Sequence, residues 1–524
     1  MRKGTYVLLM LLVGCFLFGA GTRETINPPA HPPLDAQDTF AIALLESPEE
    51  LLLHPIEATD ATSLLILNGL FEGLYTHDAK TGKPVAALAQ RTQVSDDGLM
   101  WVFTIREDAR FSNGEAITAQ IFADSWLHLL QQAKDGRAAA YLGSLMDPIV
   151  GARDYRDGVG NAGSVGIVAR DEHTLIISLE NPIPYFPALL CTPALSAIHP
   201  TVLDDRSAQL ITSGPFQITE LTDTRITLSK NPWYYDYDAV ASDYISLTFL
   251  SDQDLIDAYR NRKVHWTPSY IPREKLYNRE DLHIYPEFST GFFYFSASRG
   301  PYADPKVRKA IALLIPWDEL RAESGQIFPS RHLIPDYQRT FTGEPYDHQQ
   351  AQQEAYAILA EAGYPYGSGL PPLSLAIHRG SQVQHLSDRI AETLSRSLGI
   401  TVIVDTVPLS MYARYPQQSP YDAAFITWIG DFLDPLAFLL LFSSNGHNLT
   451  NVQDATFDAL LSKTWELSPA RESYISEAEQ YLLSTSSVFP MYHGITTHII
   501  LSDRVTGWYD NVLNIHPLKH LGIR

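Results

Sequence analysis

Apolar residues recur along this chain in two alternating patterns, one typical of strands and the other typical of helices. Short apolar or β-branched runs predict strands at residues 39–45, 100–105, 174–179, 226–228 and 401–407. Apolar positions spaced three and four apart predict helices at residues 61–74, 117–131, 351–362 and 383–398. Because helices and strands alternate throughout, the pattern predicts an α/β chain.

Capping residues mark the ends of several of these predicted helices. Thr118 is placed to cap the start of the second helix. Gly363 and Gly399 directly follow the third and fourth helices, where a glycine is the usual C-terminal signal. These signals make the ends of the last two helices the most sharply predicted boundaries.

The N-terminus has the pattern of an export signal, predicted here as residues 1–21. Basic residues at positions 2 and 3 precede an apolar run at 5–13, which is too short to span a bilayer. Two cleavage sites remain open. Leu12-Val13-Gly14-Cys15 is similar to a lipobox, which would make Cys15 a lipidated first residue, whereas Gly19-Ala20-Gly21 suits ordinary cleavage before Thr22. A buried N-terminal helix is the remaining alternative.

Composition and charge remove several classes of protein. The 524 residues are 45% apolar and 19% charged, which is typical of a globular chain and excludes a disordered one. A formal net charge of −22 opposes sequence-independent nucleic-acid binding, which depends on Lys and Arg neutralising phosphates. Four prolines between positions 22 and 36 predict a flexible tether over residues 22–38.

Signatures of catalysis and of metal binding are absent from the sequence. It contains no HExxH, GxSxG, GxGxxG or GxxxxGK[ST] motif. Its 17 histidines are scattered, and Cys191 is the only cysteine besides Cys15, which leaves no disulfide framework and no CxxC zinc site. We therefore expect a protein that is not an enzyme and that uses no metal or other cofactor.

An ordered series of short motifs identifies a more specific relationship. The motifs are Leu70-Phe71-Glu72-Gly73-Leu74, Ser95-Asp96-Asp97-Gly98, Phe103-Thr104-Ile105-Arg106, Phe111-Ser112-Asn113-Gly114, Ser213-Gly214-Pro215-Phe216, Asn231-Pro232, Val307-Arg308-Lys309-Ala310, Ala360-Glu361-Ala362-Gly363-Tyr364 and Trp428-Ile429-Gly430-Asp431. In this order they resemble the extracytoplasmic solute-binding proteins of family 5, the oligopeptide and dipeptide receptors of ABC importers. The resemblance extends over about residues 40–524.

The resemblance implies a two-lobed, periplasmic-binding-protein-like fold of class II, in its large peptide-binding form, with three structural domains and a hinge. The first lobe would be discontinuous, comprising residues 39–57, 181–283 and 491–524. An inserted domain would span 58–180, and the second lobe would span 284–490. The ligand would lie in the cleft between the lobes, and hinge closure would exclude water from it.

The resemblance also assigns a ligand role to the segment around Asp431. In the family, the acid at this position holds the ligand's α-ammonium group, and a buried ammonium needs a paired carboxylate. Thr427, Trp428, Ile429 and Gly430 match the segment that pairs with the backbone of an extended peptide. Considered without the family, Asp431 has the alternative role of a turn or helix-capping aspartate.

Two further positions in the resemblance affect how the ligand would be held. The segment at Glu49 and Glu50 also matches the family positions that pair with the backbone of an extended peptide, and the alternative for Glu49 is a solvated acid. Phe425 stands where the oligopeptide receptors carry an arginine that helps hold the carboxyl end of some ligands. Recognition of the ligand's carboxylate is therefore expected to differ in this chain.

The function implied is capture of peptides outside the cytoplasm and their delivery to the permease subunits of an ABC importer. The expected partners are a peptide and that permease, and no nucleic acid is expected to bind. We expect a monomer in the cell envelope or periplasm, which would be lipid-anchored if Cys15 is modified. Two alternatives remain: the same fold with a metal chelate, haem or sugar as ligand, and an envelope enzyme or adhesin.

Overall fold

The computed structural model of the protein describes most of the chain after the predicted signal and tether. The described residues are 38–45, 51–58, 60–138, 140–204, 210–268, 271, 273–276, 278–296, 300–378, 383–407, 420–444, 446–465 and 468–524. Within these ranges, no helix is both long enough and apolar enough to cross a membrane.

Strands and helices alternate through the described residues, so the chain is α/β as predicted. The strands are β1 (Thr39–Leu44), β2 (Tyr75–His77), β3 (Pro84–Ala86), β4 (Ala89–Val94), β5 (Met100–Ile105), β6 (Ile167–Ala169), β7 (Thr174–Ser178), β8 (Phe216–Leu221), β9 (Arg225–Lys230), β10 (Tyr244–Phe249), β11 (Trp266–Thr267), β12 (Leu282–Phe295), β13 (Phe328–Pro329), β14 (Leu373–His378), β15 (Val402–Val407), β16 (Ala423–Ile429), β17 (Val488–Ile500), β18 (Val505–Thr506) and β19 (Gly522–Ile523). The helices are α1 (Ala61–Leu70), α2 (Ala119–Lys134), α3 (Ala140–Ser144), α4 (Ala152–Arg156), α5 (Phe186–Leu189), α6 (Pro200–Asp204), α7 (Asp252–Arg260), α8 (Pro305–Leu314), α9 (Trp317–Glu323), α10 (His348–Glu361), α11 (Gln384–Leu398), α12 (Leu436–Leu439), α13 (Ala455–Lys463) and α14 (Arg471–Ser484).

One large mixed sheet runs through most of the molecule. Its strand order is β15-β14-β16-β12-β17-β11-β1-β10-β9-β8, and β13 pairs with β17 off this path. The part built on β1 and β8–β11 is called the first lobe here, and the part built on β14–β16 is called the second lobe. The first lobe has its own apolar core around Phe40, Ile245 and Trp266.

Two long antiparallel strands, β12 and β17, connect the lobes. Their pairing runs from Leu282 opposite Ile499 in the first lobe to Tyr294 opposite Val488 in the second. The register shifts between Pro286 and Thr290, which is where the paired strands pass from one lobe to the other. Irregular pairing disrupts a ladder locally, so the regular hydrogen bonding between β12 and β17 is interrupted at this crossing.

A smaller antiparallel sheet, in the order β4-β5-β7-β6, forms a separate unit called the inserted domain. Helix α2 contacts β6 and β7 and buries Phe122 and Trp126 completely. The core of this domain is continuous with the face of the second lobe that carries Phe292 and Ile426. The inserted domain and the second lobe therefore contact each other in this structure.

Most predicted elements are confirmed, with boundary shifts that have local causes. The first predicted helix extends to residue 74, but α1 ends at Leu70 because Phe71 adopts an extended conformation. Thr118 is the N-cap of α2, so the helix begins two residues later than predicted, and the cap makes no side-chain hydrogen bond. Gly399 ends α11 with φ of 68°, a left-handed conformation that favours glycine.

Candidate functional site: a cavity beside an open strand edge

Strand β16 has one paired edge and one edge that is partly open. It pairs with β12 along its whole length, whereas among the described residues its other neighbour, β14, pairs only with residues 423–425. Within the described ranges, no strand pairs with that second edge over residues 426–429. An open edge presents unpaired backbone groups to which an extended chain can add as a strand.

The hydrogen-bond alternation of β16 shows which residues face the open edge. The Gly430 N–H donates to the Phe288 carbonyl at 2.8 Å, and the Ser296 N–H donates to the Asp422 carbonyl at 2.9 Å. Even-numbered residues of this strand therefore bond toward β12, and odd-numbered residues point their backbone groups the other way. Thr427 and Ile429 consequently present N–H and C=O groups to the open edge.

Successive side chains of β16 point to opposite faces of the sheet, and Phe425 and Thr427 lie on the same face. Phe425 is 1% exposed and packs in the second-lobe core, with its ring centroid 4.7 Å from that of Phe293. Its side chain is therefore unavailable to a ligand, and Phe425 contributes packing where the family's arginine would contribute charge. Thr427 is exposed, and its hydroxyl lies 3.0 Å from the Tyr492 hydroxyl.

Trp428 lies on the opposite face of β16, half-buried against the core shared with the inserted domain. Its ring centroid is 6.0 Å from that of His447. His447 is 5% exposed, and burial lowers its pKa to about 4, so the imidazole is neutral at pH 7. Through His447, Trp428 supports one wall of the adjacent cavity.

Gly430 allows β16 to lie close to Phe288. A Cβ at this position would lie 2.6 and 2.8 Å from the Cδ1 and Cε1 atoms of Phe288 and 3.3 Å from the Cβ of Ala437. Any larger residue would displace the Phe288 ring, which packs edge-on against Phe438 at 5.1 Å. The role of Gly430 visible here is therefore close packing behind the open edge.

Asp431 follows this edge and lines a cavity of about 420 Å³ between the inserted domain and the second lobe. This volume is within the usual range for small-molecule sites. Apolar side chains from both walls line the cavity, namely Leu145, Ile183 and Leu189 from one side and Leu436, Leu440 and Leu461 from the other. Asp431 is half-buried and reaches the cavity immediately after the strand edge ends.

The loop that carries Asp431 is held by a second acid. Asp434 accepts a hydrogen bond from the Leu436 N–H at 3.0 Å, and its two carboxylate oxygens each lie 2.9 Å from Nη2 of Arg471. Both side chains of this pair are mostly buried. Asp434 is thus a structural residue of the turn, and it fixes the conformation that follows Asp431.

Acidic side chains on both walls give the cavity a negative lining that the sequence did not reveal. Its carboxyl groups are Asp147, Asp154 and Glu180 on the inserted-domain side and Asp431 and Asp458 on the second-lobe side, with Arg153 as the basic residue of the described lining. The acids of one wall are separated from those of the other by more than about 250 positions and belong to no recognisable motif, so only the three-dimensional structure brings the two groups together.

The side chain of Asp147 is mostly buried in this lining, with 9% of its surface exposed. Burial raises its pKa to about 6, although Arg156 and Arg153 favour the ionised form. Arg156 contacts one carboxylate oxygen, and Nε of Arg153 lies 3.4 Å from the other. Further desolvation of this wall by a bound ligand would therefore be unfavourable unless the ligand brought positive charge.

Three of the predicted site positions lie outside the described residues. They are Glu49, Glu50 and the candidate lipidation site Cys15. Of the remaining positions, Asp431 lines the cavity, Thr427 and Ile429 face the open edge, and Trp428, Gly430 and Phe425 pack behind it. The structure therefore brings most of the predicted segment to one place while giving its members different roles.

Comparisons with known proteins place this geometry in a family. A sequence model of the bacterial extracellular solute-binding proteins, family 5 Middle, matches residues 83–450. The dipeptide-binding protein DppE of Bacillus subtilis is 26% identical over 480 residues, covering 87% of this chain and 86% of that protein. The periplasmic oligopeptide-binding protein OppA of Salmonella typhimurium is 24% identical over 531 residues, covering 97% of this chain and 96% of that protein.

Solved structures show the same fold. The crystal structure of Haemophilus influenzae OppA in complex with the peptide RPPGFSPFR superimposes with a TM-score of 0.79 at 21% sequence identity. The match covers 94% of this chain and 100% of that one. The two-lobed fold predicted from the sequence is therefore confirmed.

Proposed function

Because this chain belongs to the bacterial extracellular solute-binding proteins of family 5, we propose that it captures peptides between its lobes and delivers them to the permease of an ABC importer. The single observation that carries this proposal is the open edge of β16 beside Asp431. An extended peptide can add to the edge at Thr427 and Ile429, while the Asp431 carboxylate receives its α-ammonium group.

This arrangement fixes the direction of the bound peptide. Asp431 lies beyond the C-terminal end of β16, so a peptide whose amino group meets Asp431 runs antiparallel to that strand. Backbone hydrogen bonds from Thr427 and Ile429 are independent of the peptide's sequence. The site would therefore accept varied peptides while requiring a free amino terminus.

Closure of the lobes would complete the site. We propose that the first lobe, the inserted domain and the second lobe move about the irregular crossing of β12 and β17 near residues 286–290. Their boundaries are those predicted from the sequence, except that residues 181–190 pack with the inserted domain. Closing excludes water, which strengthens the attraction between Asp431 and an ammonium group. The closed protein would then dock as a monomer on the permease, with Cys15 as its candidate lipid anchor.

Thermal unfolding in the presence of peptides tests the proposed function. Free peptides of two to seven residues should raise the melting temperature, since a ligand at about 100 times its dissociation constant stabilises by about 2.7 kcal/mol. N-acetylated peptides should not, and Asp431→Asn should abolish the shift, whereas Asp405→Asn, an exposed acid of the same lobe, should retain it. No shift with any peptide, or recovery of cleaved peptide, would contradict the proposal.

A further inference from the structure

The cavity beside Asp431 has two chemically different parts. Leucine and isoleucine side chains from both walls form an apolar channel, and carboxyl groups from both walls surround it. If the ligand's amino group lies at Asp431, its first side chain is the part of the peptide nearest to this cavity. Resting on the proposed function, we propose that the cavity receives the side chain of the ligand's first residue and selects a long basic one.

The apolar walls suit the stem of such a side chain. Lysine and arginine bury their methylene groups along apolar surface while the charged end reaches polar partners. Leu145 and Ile183 on the inserted-domain wall and Leu440 and Leu461 on the second-lobe wall supply that surface. A short or branched polar side chain would leave these walls unfilled.

The charge balance of the lining favours a cation at the end of that stem. Besides Asp431, which the proposed function assigns to the ligand's α-ammonium group, four carboxyl groups face the cavity with one guanidinium, and Arg156 outside the lining contacts Asp147. His447 adds no compensating charge at pH 7, because burial lowers its pKa to about 4. An uncharged side chain would desolvate these carboxyls without replacing their water, whereas an ammonium or guanidinium would pair with them.

Two acids, one on each wall, provide the sharpest test. Glu180 is exposed and accepts a hydrogen bond from the Gly151 N–H at 3.0 Å. Asp458 is half-buried and accepts one from the Ser444 N–H at 3.0 Å. Their amide isosteres keep an acceptor oxygen for these bonds, so substitution removes the charge with little effect on the fold.

A metal ion is a poorer occupant of this acidic site. In the described part of the chain, no group of three or more His, Cys, Asp or Glu side chains is arranged to hold one. The carboxyls are instead distributed over two facing walls with apolar surface between them. That distribution matches an extended organic cation.

Calorimetry with three peptides of equal length tests the inference. Lys-Ala-Ala and norleucine-Ala-Ala have first side chains of similar length that differ in the charge at the end, and Glu-Ala-Ala has a shorter first side chain with the opposite charge. We expect the lysine peptide to bind about 10-fold tighter than the norleucine peptide, as expected for charge pairing in a desolvated site. The glutamate peptide should bind at least about 10-fold weaker than the norleucine peptide. Glu180→Gln and Asp458→Asn should each reduce the ratio of the Lys-Ala-Ala affinity to the norleucine-Ala-Ala affinity about 3-fold.

Matched controls separate this inference from the proposed function. Asp96→Asn and Glu477→Gln remove exposed acids of the inserted domain and the second lobe outside the cavity and should leave the ratio unchanged. The norleucine affinity reports whether each variant is folded. Equal affinities for lysine and norleucine would overturn the inference while leaving peptide binding intact, and failure of all three peptides to bind would overturn both.

Discussion

The Tyr185 ring lies parallel to the Phe432 ring, with centroids 4.4 Å apart and an interplanar angle of 9°. Tyr185 directly precedes α5 and packs in the core of the inserted domain, and Phe432 directly follows Asp431 in the second lobe. Burial, and to a lesser extent the Asp434 carboxylate, raises the pKa of Tyr185, so its phenol is neutral at physiological pH. The stack therefore joins the two walls of the cavity next to the proposed ammonium site.

Removing this stack should shift the protein toward an open form. Tyr185→Ala is expected to weaken peptide affinity about 5-fold, because an aromatic pair contributes about 0.5–1.5 kcal/mol beyond its buried area. Dissociation should become faster, and small-angle scattering of the unliganded protein should show a larger radius of gyration. Tyr185→Phe keeps the ring and should behave like the wild type. A compact, tightly binding Tyr185→Ala variant would show that the stack does not hold the walls together.

Gly430→Ala should destabilise the second lobe. The added Cβ would meet the Phe288 ring at 2.6 Å, and overpacking of this kind costs about 1–3 kcal/mol of unfolding free energy. Urea denaturation measures the loss. Gly343→Ala is the matched control, because the nearest atoms to its new Cβ would be 3.9 and 4.0 Å away. Equal stability of the two variants would show that Phe288 moves aside at no cost.

The Asp434–Arg471 pair should be important for the stability of the loop that carries Asp431. Arg471→Met leaves a mostly buried carboxylate without its partner, which is expected to cost about 3 kcal/mol. The comparison variant is Arg389→Met, whose pairs with Glu323 and Glu392 are exposed and worth less than about 1 kcal/mol. Denaturant titration should show a clearly larger loss of unfolding free energy in Arg471→Met than in Arg389→Met. Similar small losses in both would mean that Asp434 is solvated when Arg471 is absent.

Glu72 should make stability depend on pH where the inserted domain meets the first lobe. Burial raises its pKa from 4.5 to about 7, although Lys519 and the Tyr234 hydroxyl oppose the rise. A raised carboxyl pKa favours the protonated folded state, so this stabilisation is complete below pH 4.5 and is lost as the pH rises to about 7.

Glu72→Gln should remove that dependence. The unfolding free energy of the variant minus that of the wild type is expected to rise by about 3 kcal/mol between pH 4.5 and pH 8. Denaturant titrations at several pH values measure this difference. Glu107→Gln changes an exposed acid of the same domain, and its difference from the wild type should not rise with pH. A constant difference across that range would show that Glu72 stays ionised in the folded protein.

The sequence predicted elements well where a local signal was strong. Gly399 and the amphipathic pattern before it defined α11 almost to the residue. The long strands β12 and β17 were missed, since both are buried on most of their length and show no alternation, and β12 contains Pro286 and Gly291. Such strands have no period that distinguishes them from other apolar segments.

Of the two walls of the candidate site, only the one that carries Asp431 was predictable from the sequence. Asp431 was found because it follows a motif shared with the family, and that motif is continuous in sequence. Asp147 and Glu180 lie on the facing wall, about 250 to 280 positions away, and their local sequence is that of ordinary turns. Their relation to Asp431 depends on packing between domains, which no local pattern encodes.

The most direct test of the account is a four-way calorimetric comparison of a free peptide and its N-acetylated form, each titrated into the wild type and into Asp431→Asn. If Asp431 holds the α-ammonium group, acetylation should weaken wild-type binding at least about 30-fold, as expected for loss of one partner of a buried charge pair. In Asp431→Asn, acetylation should change the affinity by less than about 3-fold. An equal effect of acetylation in both proteins would contradict the account.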